Sequence, residues 1–308
     1  MLGSCRYFFV MNIIEETKQE LNQLIMESLT VNDDVMRNVK EIEDYINKNI
    51  ATSEITKTYN GGSQRLLSFS HTLFNDLDCS INVECNNFKN EKYFKEYNKN
   101  NTINTECVSV FRQIRGRMLA IITIRYISIN FKPLEKFYQD VPHEVNHIFQ
   151  QYMDKQTYPD SEKYIKYASD FNFSNDNKIN KVSRLLYLLN KGEEDSTITS
   201  VYNFVKHKVE NGDYNIDKLF QETEAFQNIV SAKQLYDEIK TNKDDFNEIV
   251  TKRYNFKDWG VFLRRIKEAI KRYEKKFSMV CVKCKSDFVI FETHTSFRGN
   301  VLKYILFS

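Results

Sequence analysis

The run "RMLAIITIRYISINF", residues 117–131, constrains the fold more than any other stretch of the chain. β-Branched and aromatic residues persist along nearly all of it, a composition that suits a pleated, half-buried surface and suits a helix poorly. Pro133, which has no N–H to give to a ladder, ends the strand expected over Met118–Phe131. A strand this long needs partners. "RLLSFSHTLF", "CSINVEC" and "CVSVFRQI" supply them, so three or four strands are expected after the "NGG" turn at 60–62. Between them, "NNFKNEKYFKEYNKNNTIN" is polar and charged and reads as a surface excursion.

Helical periodicity brackets the strands. It covers Asn12 to about Ile50, with "VNDD" separating two helices of a hairpin, and then 134–156, 161–170, 178–190, 193–210, 215–240 and 243–276. The short runs "FSMVCV", "FVIFET" and "VLKYILF" read as strands returning to the sheet. The fold class expected is therefore α+β, a small β-sheet with extra helices at the N-terminus and in the C-terminal third. Three segments follow: a helical hairpin over 1–58, a core over 59–213, and a helical segment with short terminal strands over 214–308.

Composition serves mainly to exclude. Lys and Arg total 44 against 42 Asp and Glu, so net charge gives no argument for nucleic acid or a membrane surface. No secretory leader and no apolar run of about 18 residues is visible, and a cytoplasmic location is expected. The six cysteines are scattered and are expected to be reduced. Cys281 and Cys284 form a lone CxxC with only His294 after it, too little for a structural zinc knuckle.

The chemistry sits in "VPHEVNHIFQQY", residues 141–152. Residues four apart on a helix have Cβ atoms about 6 Å from each other, so His143 and His147 can converge on one ion at about 2.1 Å each. Glu144, about 100° further round the same turn, is placed to take a proton from a metal-bound water. Val141, Val145, Ile148, Phe149 and Tyr152 gather on the opposite side, leaving one face for the core and one for a cleft. Asp140 is expected to cap the helix, with Pro142 tolerated in its first turn. The competing account is an ordinary amphipathic helix with exposed histidines.

"HEVNH" on a predicted helix after a long strand resembles the zincin metallopeptidases. In the metzincin branch a glycine and a third histidine follow the motif; Gln150 and Met153 stand there instead, which excludes that branch. The remaining resemblance is to the gluzincins, where a glutamate on a downstream helix completes the site. "LLYLLNKGEEDSTITSVYNFV", residues 185–205, supplies one: Gly192 suits the end of one helix and Glu193 opens the next, in a string similar to the E-x-x-A/S helix of several such families, phage-encoded ones included. Small residues at Ser196 and Ser200 let that helix approach the histidine helix closely.

The resemblance implies a zincin-like core, Zn²⁺ held by His143, His147 and Glu193, Glu144 as general base, and a peptide or protein substrate. Glu194 rivals Glu193 as third ligand, and both acids are also explained as helix N-terminal acids favoured by the macrodipole. Tyr202 and His207 are the nearest candidates in sequence for stabilising a transition state, and strand 118–131 could pair with an extended substrate. A zincin fold that binds without turnover, or builds a virion, is the alternative. A further one is the basic helix 251–276, with ten basic residues against three acidic, which could meet nucleic acid or an anionic surface; pairing with the acidic stretch 214–250 is the favoured explanation of its charge.

Overall fold

A computed structural model of the chain describes residues 32–99, 101, 103, 105–114, 117–152, 161–213 and 215–296. The first helix of the expected hairpin and the run "VLKYILF" lie outside the described residues. The fold is mixed α and β, consistent with the α+β class.

One sheet has the strand order β1-β2-β3-β5-β4, with β1 Glu54–Tyr59, β2 Gly62–Leu73, β3 Leu77–Phe88, β4 Glu106–Ile114 and β5 Arg117–Ile129. The two-residue β6, Lys132–Pro133, pairs with the end of β5. β3 and β5 run parallel at the centre and every other pairing is antiparallel. Gly61 closes the β1–β2 turn at φ +73°, where a side chain would be strained and would strike the Tyr93 ring. The long apolar run is thus an interior strand, paired on both sides, and cannot take up an added strand as expected. The edge next to it belongs to β4.

Alternation along the central strands decides which face is covered. Ala120, Ile122, Ile124 and Tyr126 of β5 are buried with Cys79, Ile81, Val83 and Cys85 of β3. Against them pack α1 (Asp33–Asn49), through Val35, Val39, Ile42 and Ile46, and α3 (Phe137–Tyr152), through Phe137, Val141, Val145 and Ile148. The polar excursion contains α2 (Glu91–Asn98), capped by Asn90 and with no buried residue.

The helical layer comprises α4 (Ser161–Phe173), α5 (Asn177–Tyr187), α6 (Lys191–Glu210), α7 (Ile216–Glu222), α8 (Glu224–Thr241), α9 (Lys243–Glu248), a π turn at Ile249–Arg253, and α10 (Trp259–Ser296). Val182, Leu185, Val201, Phe204, Leu219, Ile229 and Phe262 share one core there, which continues across residue 213. "FSMVCV" and "FVIFET" are not strands; both lie within α10. Ile266, Ile270, Tyr273, Phe277, Val280 and Cys284 are buried at alternating spacings of four and three, so the apolar run extends a helical seam into the core. The same seam uses the face that a membrane-lying helix would need. No described helix is long and apolar enough to cross a membrane.

α6 docks on the start of α3 through a defect in the latter. The helix begins at Phe137, so Asp140 lies inside its first turn, bonded to Lys136 Nζ at 3.0 Å, and does not cap it. Pro142 lies further in and has no N–H for the Tyr138 carbonyl. Asn203 Nδ2 of α6 donates to that carbonyl at 3.0 Å, and Ser200 Oγ donates to the next one, Gln139, at 2.6 Å.

The same Asn203 amide donates to Glu43 Oε1 of α1 at 3.2 Å. Burial, only partly offset by that bond, pushes the Glu43 carboxyl up from 4.5 to about 8. Between these values the folded chain keeps a proton that the unfolded chain has lost, so this contribution is full below about pH 4.5 and disappears as pH rises through about 8. Glu43→Gln keeps an acceptor for Asn203. Chemical denaturation at pH 5 and pH 8 should show the wild type losing on the order of a few kcal/mol between them and the variant losing less; equal losses would mean that Glu43 does not carry the slope.

Candidate metal centre

α3 and α6 bring three side chains to one point. His143 Nε2 and His147 Nε2 stand 3.1 Å apart, Glu193 Oε2 is 3.2 Å from the first and Oε1 is 3.3 Å from the second. Ligand atoms about 2.0–2.1 Å from a tetrahedral centre stand roughly 3.3 Å from one another, so the spacing fits a small divalent cation. Two ring nitrogens this close and facing one carboxylate also require a positive charge between them, whether a proton or a metal. The side chains are 24%, 18% and 17% exposed, recessed but reachable from solvent. Among the described residues, this is the one group of three or more such side chains that could hold a metal ion.

The electrostatics agree. Burial opposes charge on His147, but the hydrogen bond and charge of Glu193, with Glu144 and Gln150 behind them, outweigh it and push its pKa up to about 9. Burial likewise opposes charge on Glu193, and the bonds and charges of both histidines hold its carboxyl well below the usual range. The metal-free site thus favours an ionised Glu193 and positive charge on His147.

Local sequence explains how Glu193 gets there. Asn190, not a helix end at Gly192, sets the boundary: its Oδ1 accepts from Gly192 N at 3.0 Å, which makes Asn190 the N-cap of α6 and puts Glu193 in the first turn. Glu194, one position on, turns the other way. It is 1% exposed and is met by Arg272 Nε at 3.2 Å and Lys276 Nζ at 3.0 Å from α10, so it is not the third member of the group.

A second layer of contacts, unseen in the sequence, orients the ring of His147. Its Nδ1 lies 3.2 Å from Gln150 Oε1, which can only accept, so Nδ1 carries a proton and Nε2 is the nitrogen turned to the centre, protonated toward Glu193 when no metal is bound and offering its lone pair when a metal displaces that proton. Ser196 Oγ is also 3.2 Å from Nδ1 and accepts from Asn146 Nδ2 at 3.0 Å. The Gln150 amide then donates to the Gly192 carbonyl at 3.1 Å, the peptide immediately before Glu193. One side chain thereby ties two members of the group together. Gln150→Leu should weaken zinc affinity by about 10–100-fold, measured by competition with a chelating dye; unchanged affinity would show the bond to be incidental.

The remaining site candidates fare differently. Glu144 is anchored to β4, with Oε2 accepting from Ser109 N at 2.9 Å and Ser109 Oγ at 2.6 Å, and its charge acts on His147. Tyr202 and His207 are not brought to the centre. Tyr202 is buried in the helical core, and His207 stacks on Tyr138 with ring centroids 3.6 Å apart. Tyr187 of α5, which the sequence did not single out, does lie beside the group: it hydrogen-bonds Glu193 and lines, with His143 and Glu193, a cleft of about 230 Å³. Burial and the Glu193 charge keep its hydroxyl protonated far above the ordinary range. His71 stands beside Glu41, and Cys281 bonds to Asp217.

The basic helix uses its charge unevenly. Arg272 and Lys276 serve Glu194 and Asp195 of α6, and Arg253 serves Asp170 of α4. Of the expected pairing with the acidic stretch 214–250, the described residues show Lys252–Glu248, four apart along the chain, and Lys233–Glu274, in which the cation comes from the acidic stretch and the anion from the basic helix. Comparison of the chain with protein-family models, with curated proteins and with solved structures gave no match.

Proposed function

We propose that this chain is a zinc-dependent metallopeptidase of gluzincin type, with a zincin-like core formed by the sheet, α3 and α6. The observation that carries the reading is the meeting of His143, His147 and Glu193, residues separated by up to 50 positions, with the spacing of one ion's ligands. His143 and His147 through Nε2 and Glu193 through its carboxylate would hold the ion. Zinc suits two imidazoles and one carboxylate with a position left open, and supplies Lewis acidity toward a water and a carbonyl oxygen.

The chain's own groups supply the rest. Glu144 acts as general base and passes the proton to the leaving nitrogen; its Oε1 accepts no bond among the described residues, while Ser109 fixes Oε2. Gln150 and Ser196 hold the His147 tautomer. Tyr187, in the cleft wall, donates its O–H to Glu193 and positions that carboxylate. The cleft beyond His143 is lined by Leu188, Ala225 and Ile229 as well as by the Lys136, Asp140 and Glu224 cluster, room for a substrate side chain with a polar end.

Metal analysis tests the reading. The full chain purified without chelators should carry one zinc, and His147→Ala should carry none while keeping its far-UV circular dichroism. A wild-type chain that neither retains nor takes up zinc removes the proposal.

A further inference from the structure

The hydrogen bonds of Glu144 bear on the sheet edge as well as on the centre. β4 is the outer strand beside α3, and among the described residues no strand pairs with its free side. In an antiparallel ladder successive residues turn their N–H and C=O alternately toward the partner strand and away from it. Ser109 gives its N–H to Glu144, so it is not a donor to β5, and Cys107, Ser109 and Phe111 are the positions whose main-chain groups face outward. The Glu144 carboxylate therefore occupies the point where a docking strand would place a carbonyl oxygen. Ser109 adds its hydroxyl to the same Oε2, so both of its donors hold one oxygen.

We propose that Glu144 is a latch on the β4 edge: an extended polypeptide adding to β4 takes the Ser109 N–H with a backbone carbonyl, displaces Glu144 Oε2, and frees that carboxylate toward His143, His147 and Glu193. The ligand class is set by the backbone. An extended chain offers carbonyls at the two-residue repeat that Cys107, Ser109 and Phe111 require, whereas a small amide offers none in register and leaves the latch closed. Docking exchanges a charged acceptor for a neutral one, so Glu144 competes with the incoming strand as well as serving it. The displacement stands on the sheet edge alone; the use made of the freed carboxylate rests on the peptidase reading.

The competition is measurable without metal. Metal-free, ¹⁵N-labelled full chain is titrated with a blocked decapeptide alternating Thr and Ala, and zinc binding is measured separately on the same preparations. Glu144→Ala should bind the peptide about tenfold more tightly than wild type, the worth of one charge-assisted hydrogen bond removed from the competition. Glu144→Gln, whose neutral amide oxygen still accepts from Ser109 without the charge, should bind with an affinity between those of wild type and Glu144→Ala. Ser109→Pro, tolerable where an edge N–H faces outward, should abolish the gain when combined with Glu144→Ala. The amide signals of Cys107, Ser109 and Phe111 should shift on binding. Equal affinity for Glu144→Ala and wild type, or no binding to any variant, overturns the latch whatever the zinc result. A tenfold gain in a chain that takes up no zinc upholds the latch as a docking device and removes the peptidase reading instead.

Discussion

Glu193→Ala should strip zinc from the chain and leave the fold intact, whereas Glu194→Ala should leave the metal and weaken the fold. Adjacent identical residues are assigned opposite roles here, so the pair of variants is a sharper test than either alone. Glu193 meets the two histidines and no lysine or arginine; its loss removes one of the three proposed ligands, and zinc affinity should fall by more than the roughly 10–100-fold that an outer contact costs. The two histidines favour its ionised form in spite of burial, so the metal-free variant should keep its fold but lose some thermal stability as well. Glu194 meets Arg272 and Lys276, which are 40% and 32% exposed and can rehydrate when it is gone, so its loss should cost only about 1–2 kcal/mol. Isothermal titration with zinc and a thermal melt of each variant suffice. Zinc binding that survives Glu193→Ala and vanishes in Glu194→Ala would exchange the two assignments.

How much of this was legible beforehand depends on the range of the interactions involved. The β5 run and the face division of α3 are local patterns of burial, and both appear in the structure where the residues place them. His143 and His147 are fixed relative to each other by helical geometry alone. Glu193 was reachable because acids opening a helix are visible as such, but choosing it over Glu194 required knowing that α10 supplies cations on one side only. Gln150, Ser196, Tyr187 and Ser109 left no local signal. Their roles come from contacts between elements, such as Ser109 with Glu144 across 35 residues and Ser196 with His147 across 49. The C-terminal strands failed for a related reason. Short windows around Phe277 and Phe288 are rich in β-formers, and only the seam that begins at Ile266 shows them to be helix.

The largest expected effect on stability lies in that same helix. Arg272→Met with Lys276→Met leaves the Glu194 carboxylate, 1% exposed, with neither of the cations that α10 brings to it. Removing the partners of a buried charge costs about 3–5 kcal/mol, more than losing the charge itself, because a buried anion cannot regain water without opening the helix packing. For a chain of this size that corresponds to a fall of about 10 °C in Tm. The damage should be concentrated at the first turn of α6, where Lys276 also holds Asp195 at 2.5 Å and where Glu193 sits, so zinc affinity should fall together with stability. Adding Glu194→Leu to the double variant replaces the stranded anion with an apolar side chain of similar size and should recover most of the lost Tm. Zinc affinity should return with it, because Glu193 itself is unchanged. A double variant that melts within about 2 °C of wild type would show that Glu194 is not held by these cations.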